Sequence, residues 1–215
     1  MRKMISLAVL MSLLLGMGGA CLHAESDARV FLAKLENKFS LINTMRADFV
    51  QEKELSYFDK KIRIKGVMCF EKPDFLGWHV TEPIVYSMVI NGKTIRQWDG
   101  ETRKVQIIQV ESNPALQIMI VRMREWFTGN FTGFLEDYDF TIENKDPVIL
   151  VFVPKETSSV AEFIEKVKII FKEDESYIHQ IEINEKGGDS DVLIFDDVVL
   201  NEPLNPRLRN VKVNI

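Results

Sequence analysis

The sequence predicts a mainly β protein with helices (α+β): one incomplete antiparallel β-barrel of about 10–11 strands, with helices covering its concave side as a lid. Three observations carry this. Apolar residues recur at period 2 over most of the chain. Turn signals separate the alternating runs at short intervals, which implies antiparallel, largely up-and-down pairing. Two segments switch to helical period and are apolar enough to need burial against something else.

Ser26 to Leu41 reads as the first helix, with Ser26 and Asp27 able to cap it. Its apolar stripe is broad: Val30, Phe31, Lys34, Leu35, Lys38 and Ile42, with Leu32, Phe39 and Leu41 beside it. The period then changes. Met45, Ala47, Phe49 and Gln51 alternate with Arg46, Asp48, Val50 and Glu52. Ile62, Ile64, Met68 and Phe70 follow the same rule, and so do Leu76, Trp78 and Val80. Ile84, Tyr86, Met88 and Ile90 lead to Asn91-Gly92, a strong hairpin signal before Thr94 to Asp99. Val105 to Val110 ends this group.

Pro114 to Thr128 reads as the second helix, capped by Asn113 and ended by Gly129. Leu116, Met119, Ile120, Met123 and Phe127 form its apolar face. Strands then resume: Tyr138 to Glu143 with Phe140 and Ile142, Val148 to Val153, and a run containing Val167, Ile169 and Phe171. Ile181 and Ile183 precede a turn at Gly187-Gly188, then come Val192 to Leu200 and a tail strand at Val211 to Ile215. No repeat, linker or low-complexity tract divides the chain.

The N-terminus reads as an address. Arg2 and Lys3 precede an apolar run from Met4 to Leu15, then small residues, then polarity at Glu25. That is the pattern of a secretory signal peptide over residues 1–24, cleaved after Ala24, leaving a domain over 25–215. Gly18-Gly19-Ala20-Cys21 also resembles a lipobox, so lipidation of Cys21 is an alternative that would anchor the mature protein in a membrane. Removing residues 1–24 takes away Arg2 and Lys3 and no acid, moving the net charge from −5 to −7. Such a chain lacks the basic footprint of a nucleic-acid binder. It also leaves Cys69 alone, so no internal disulfide is expected, and Cys69 reads as a buried strand residue.

Catalytic chemistry has no visible constellation. His79 and His179 stand singly, without a second histidine or cysteine at metal-ligand spacing. No nucleophile elbow or phosphate loop is present. The expectation is a non-enzyme without metal or cofactor. An enzyme acting on an envelope lipid and a lipid sensor built on a related sheet remain as remoter readings.

The segment Glu71-Lys72-Pro73-Asp74-Phe75-Leu76-Gly77-Trp78-His79-Val80-Thr81-Glu82-Pro83 resembles the signature of the outer-membrane lipoprotein carrier family, LolA. Phe49-Val50-Gln51 matches the family's Phe-x-Gln, and Asn91-Gly92-Lys93-Thr94 its Asn-Gly-Lys hairpin, in the same order and spacing. The resemblance implies a monomeric periplasmic carrier. It would take lipoproteins from an inner-membrane ATP-driven exporter, shield their acyl chains, and pass them to an outer-membrane acceptor. It also implies an apolar cavity. The candidates to line it are Phe49, Gln51, Leu76, Trp78, Val80, Met88 and Ile90, then Leu116, Met119, Ile120 and Met123 of the second helix. Phe140, Ile142, Ile169, Phe171, Ile181 and Ile183 complete the set. Where the family commonly has a lid-holding arginine before the proline, this chain has Lys72, the candidate gate. Lysine lacks arginine's planar fork, so a lid held by it closes differently.

Overall fold

The structure, a computed structural model, describes residues 18–57, 60–112, 125 and 127–211. One α-helix, α1 (Gly18–Ser40), precedes the strands. The first group is β1 (Thr44–Leu55), β2 (Lys60–Glu71), β3 (Phe75–Glu82), β4 (Tyr86–Asn91), β5 (Thr94–Asp99) and β6 (Lys104–Gln109). The second is β7 (Tyr138–Lys145), β8 (Val148–Pro154), β9 (Ile164–Phe171), β10 (Ile178–Glu185) and β11 (Ser190–Leu200). Among the described residues they form one 11-stranded antiparallel sheet, in the order β6-β5-β4-β3-β2-β1-β11-β10-β9-β8-β7. The sheet is open: β6 and β7 are its edges. Its centre is the long pairing of β1 with β11, where Phe49 faces Phe195.

This topology follows from the turns. Each strand pairs with its chain neighbour through a short connection, except between β6 and β7. The predicted Asn91-Gly92 hairpin closes through Gly92 and Lys93, because Asn91 itself pairs with Thr94. The β10–β11 turn falls at Gly187-Gly188, as predicted.

Helix α1 differs from expectation in two ways. It begins at Gly18 rather than Ser26, passing through Cys21 and Ala24. Ala20, Leu22 and Ala24 are good helix formers and no proline interrupts them, so Ser26 is an interior position rather than a cap. Its buried stripe is also narrower. Leu32, Leu35 and Phe39 are buried, while Val30 and Leu41 are 67% and 71% exposed. Lys34 and Lys38 face solvent, and Lys38 pairs with Glu175 in the β9–β10 connection. The second predicted helix lies outside the described residues except for Glu125, Phe127 and Thr128, which are helical. Gly129 follows with a φ of +76°, and its N–H and that of Asn130 both bond back to the Glu125 carbonyl. A side chain there would be strained, and a Cβ would stand 2.2 Å from Cβ of Phe39.

The inward face carries the main core. Met45, Ala47 and Phe49 of β1, Met68 and Phe70 of β2, Leu76 of β3 and Ile90 of β4 join Leu150 and Phe152 of β8, Ile169 and Phe171 of β9 and Phe195 of β11. Leu32, Leu35 and Phe39 of α1 belong to the same cluster, as do Phe127, Phe131 and Phe134. Both halves of the sheet therefore bury their apolar positions against one set of covering side chains. Gly66 shows how closely this is built. A Cβ there would lie 2.0 Å from the His79 carbonyl oxygen and 2.7 Å from the Phe49 ring. Its absence lets Phe49 stack on Trp78 with ring centroids 4.0 Å apart.

A second, smaller core lies on the opposite face of β2–β4. Val67, Cys69, Phe75 and Val89 are covered there by Leu204, Leu208 and Val211 from the C-terminal segment. The short helical turn Pro206–Arg209 is initiated by the Asn205 side chain accepting from the Arg207 N–H. The predicted tail strand is not formed at Val211, and residues 212–215 lie outside the described residues. His79 is fully buried beneath this strap. Its Nε2 lies 2.9 Å from the Leu208 carbonyl and its Nδ1 3.1 Å from Ser87 Oγ. A carbonyl only accepts, so Nε2 carries the hydrogen and the Ser87 hydroxyl donates to Nδ1. Arg209 pairs with Glu71 and stands over the Phe75 ring, fastening the strap's outer side. Cys69 is buried beside it, and burial pushes its thiol up to about 12, which makes it a packing residue at neutral pH.

Burial depresses the His79 pKa below its ordinary 6.5. The unfolded chain then binds a proton that the folded chain refuses. Stability is complete above that ordinary value and declines as pH falls through the depressed one. Urea midpoints measured from about pH 7.5 to pH 5 should fall on the acid side. His79→Gln should flatten that decline, and an undiminished slope in the variant would assign it to other groups.

Candidate functional site

The site the sequence predicts is the inward face, and the structure brings its described members together there. Phe49, Leu76, Val80, Ile90, Ile169, Phe171 and Ile181 are buried in the main core. Trp78, Met88, Phe140, Ile142 and Ile183 are half-buried and packed against it. Period-2 alternation is the cause: one register places all of them on one side of the sheet. Leu116, Met119, Ile120 and Met123 lie outside the described residues. Cys21 falls within the helical backbone of α1, and nothing further is described of it.

The covering layer uses aromatic residues that sequence reasoning does not select. Phe39 of α1, Phe131 before the helical turn Thr132–Glu136, and Phe171 of β9 form a triangle of edge-on rings, with centroids 5.3, 5.5 and 5.6 Å apart. Phe127 lies between Phe70 of β2 and Phe195 of β11. Phe134 packs on Phe152 and Tyr138. The available signal is the three-residue spacing of Phe131 and Phe134 just after Gly129, which places both on one side of a helical turn.

Two recesses flank this packing. One of about 290 Å³ is lined by Phe70, Lys72, Pro73, Leu76 and Phe127 among others. A second of about 210 Å³ lies between Phe134, Tyr138, Phe152, Val167 and Ile169. Among the described residues, the concave side is covered by side chains of α1 and by Phe127, Phe131 and Phe134.

Polar attachments hold α1 at its C-terminal end. The Lys72 ammonium donates to the carbonyls of Ser40 at 2.8 Å and Phe39 at 3.3 Å. Those carbonyls end the helix; that of Phe39 also accepts the Ile42 N–H, and a cation beside both complements the helix dipole. Burial lowers the Lys72 pKa. Asn201, at the end of β11, clamps the joint between α1 and β1. Its Oδ1 accepts from the Asn43 N–H at 2.7 Å, and its Nδ2 donates to the Leu41 carbonyl. Glu36 accepts the Thr132 N–H at 2.6 Å, tying α1 to the turn that carries Phe134.

The far end of β1 is different. Gln51 and Lys53 continue the inward alternation as polar residues. Gln51 Nε2 donates to Asp191 Oδ1 at 2.6 Å, and Lys53 Nζ lies 3.2 Å from Asp191 Oδ2 and 3.5 Å from Glu185. Burial alone would lower the Lys53 pKa, but the bonds and charges of Asp191 and Glu185 outweigh it and hold the ammonium above its ordinary value. No group of histidine, cysteine, aspartate or glutamate among the described residues is placed to hold a metal.

An open antiparallel sheet with its apolar inward face under a helix defines the class of fold. The family model described as outer membrane lipoprotein carrier protein LolA matches residues 40–210, and the chain belongs to that family. An outer-membrane lipoprotein carrier protein of Pseudomonas syringae pv. tomato is 22% identical over 143 residues, which span 65% of this chain and 63% of that protein. Among solved structures, an uncharacterized conserved protein from Thermus thermophilus shares the fold with a TM-score of 0.54 at 10% identity, over 87% of this chain and 96% of that one. The MucA/MucB complex of Pseudomonas aeruginosa gives a TM-score of 0.50 at 14% identity, over 86% of this chain and 61% of that one. No helix among the described residues is long and apolar enough to cross a membrane.

Phe39 links α1 to both the Gly129 turn and the far half of the sheet. Phe39→Ala should cost about 3 kcal/mol in urea unfolding. Amide exchange should rise first in α1, ahead of β1 and β11; a uniform rise would show that α1 opens only with the whole domain.

Proposed function

We propose that the chain is a periplasmic carrier that binds the acyl chains of lipoproteins against the inward face of an incomplete barrel and moves them from the inner to the outer membrane. The observation that supports this is the substitutable cover. The inward apolar face is continuous from β5 to β8, and among the described residues it is covered by side chains of α1 and of residues 127–134 rather than by a second sheet. On this reading α1 is the lid, and an acyl chain takes the place of Leu32, Leu35 and Phe39.

The magnitudes agree. Burying those three side chains is worth about 2 kcal/mol each, or roughly 6 kcal/mol together. An acyl chain gains about 0.8 kcal/mol per methylene removed from water. Roughly eight methylenes offset the displaced lid, and two long chains exceed that. Affinity is then set by chain area with few directional bonds, which suits a carrier that must also release. Residues 1–24 direct export, the carrier acts as a monomer, and it catalyses no reaction. An ATP-driven exporter in the inner membrane loads it and an outer-membrane acceptor unloads it. Its acidic surface (net charge −5 for the whole chain) disfavours lingering on anionic membranes.

Two measurements test this reading. Mature protein purified from an envelope fraction should carry diacylated or triacylated peptides detectable by mass spectrometry of the organic extract. Repeated recovery without lipid, from cells that make lipoproteins, would sink it. Separately, Lys72→Arg should shift the binding of an apolar fluorescent probe by a few-fold, because a planar fork bonds the Phe39 and Ser40 carbonyls differently from an ammonium. Unchanged probe binding would remove Lys72 from lid control.

A further inference from the structure

The polar cluster at the far end of β1 interrupts a face that is otherwise apolar. Gln51 and Lys53 stand at successive inward positions of β1, one strand repeat or about 6.8 Å apart. Their cross-strand neighbours are mostly apolar: Ile64 and Leu193 flank Gln51, and Ile62 and Asp191 flank Lys53. The surroundings are open. Ile62 is 39% exposed, and Ile64, Ile183 and Leu193 are half-buried, in contrast to the sealed Phe49 and Ile181 next to them. None of the described covering residues that fill the α1 end closes this one.

A half-exposed ion pair contributes little to stability. Two charged residues and an amide at inward positions are therefore poorly explained by folding alone. Their bonding leaves a defined remainder. Asp191 accepts from both Gln51 Nε2 and Lys53 Nζ, and Glu185 takes a second Lys53 hydrogen. Gln51 Oε1 has no partner among the described residues and reaches solvent. Lys53 has three hydrogens and two carboxylate partners, so one donor remains. Asp191 orients both groups, so an acceptor and a donor are held side by side at the open edge of an apolar surface.

An acceptor beside a donor is the complement of an amide, which offers one N–H and one carbonyl. We propose that Gln51 and Lys53 form a recognition site for the amide linkage at the head of an acylated peptide. Gln51 Oε1 accepts the amide N–H, Lys53 donates to its carbonyl, and the acyl chains run from there along the apolar inward face. This rests on the carrier reading and adds a source of selectivity to it. A diacylglyceryl methyl thioether presents the same chains and ester carbonyls but neither an N–H nor an O–H, so Gln51 Oε1 stays unpaired against it.

The test compares two ligands with identical chains: a synthetic N-acetyl-S-diacylglyceryl-cysteinyl peptide and the corresponding diacylglyceryl methyl thioether, which has no hydrogen donor. Each competes with an apolar fluorescent probe on the full mature protein. Wild type should favour the lipopeptide by about tenfold, the scale of one oriented hydrogen bond to a partly desolvated group. Gln51→Leu should lose that preference, bringing the affinities for the two ligands within about twofold of each other. Gln51→Met, close to it in shape, serves if the leucine variant does not fold. Equal wild-type affinity for the two ligands would overturn the site and leave the carrier reading standing. An unchanged preference in the variant, or a parallel loss for both ligands, would do the same. Failure of wild type to bind either ligand would overturn the carrier reading and this site together.

Discussion

Strands β6 and β7 follow one another in the chain yet form the opposite edges of the sheet, so the connection between them joins edge to edge. Every other connection is a local turn. This one constraint shapes the inward face. The described residues of that connection from 127 onward send their apolar side chains to the inward face. Phe127, Phe131 and Phe134 lie along that route and all end in the main core. Helix α1 covers the same cluster through Leu32, Leu35 and Phe39. Phe39 against Phe131, over the Cβ-free Gly129, is where the two covers meet.

Two covers of different attachment result. The crossing is tethered at both ends by edge strands. Helix α1 is covalently joined to the sheet only at its C-terminal end, where Lys72 and Asn201 bond the helix terminus and the joint after it. Along its length it is held by apolar contact, the Glu36–Thr132 bond and the exposed Lys38–Glu175 pair. Apolar contact is non-directional, so another apolar surface of similar area can replace it without leaving unpaired polar groups behind. A cover fixed by hydrogen bonds along its length would lack that property.

The strands are legible in the sequence because alternation and turn chemistry agree locally. Eleven strands, the Gly187-Gly188 turn and the inward placement of Phe49, Leu76, Ile90 and Ile169 all follow from period 2. What alternation does not encode is which residues approach from above. Phe131 and Phe134 belong to a short helical turn with too few residues to show a period. The α1 stripe reads too broad because Val30 and Lys38 share its helical spacing. Lys72 stands out only through family resemblance, and its bonds to Phe39 and Ser40 depend on a helix end 32 residues away in the chain. The Gln51–Asp191 bond joins residues 140 apart and has no local signal. The strap over His79 escapes for a related reason. Leu204, Leu208 and Val211 follow no strand or long-helix spacing, and only the strand register shows Val67, Cys69 and Val89 waiting on the other face.

That outer strap completes the logic of the inner face. On the proposed carrier reading, a sheet whose inward cover can exchange loses much of its burial whenever the cover leaves. Its strands must then be held by something that does not leave. Across β2, β3 and β4 that support is the outward core, with Leu208 and Val211 above, His79 bonded at both ring nitrogens, and Arg209 closing the rim on Glu71 and Phe75. These are the strands that present Met68, Leu76, Trp78, Met88 and Ile90 inward. Directional bonds thus fasten the outer strap, and α1 meets the inner face chiefly through non-directional contact. His79 follows from that division. A buried imidazole that must stay neutral is a poor choice for acid tolerance, but it fastens the strap to β3 through the Leu208 carbonyl and β3 to β4 through Ser87, two bonds that no aliphatic side chain could make.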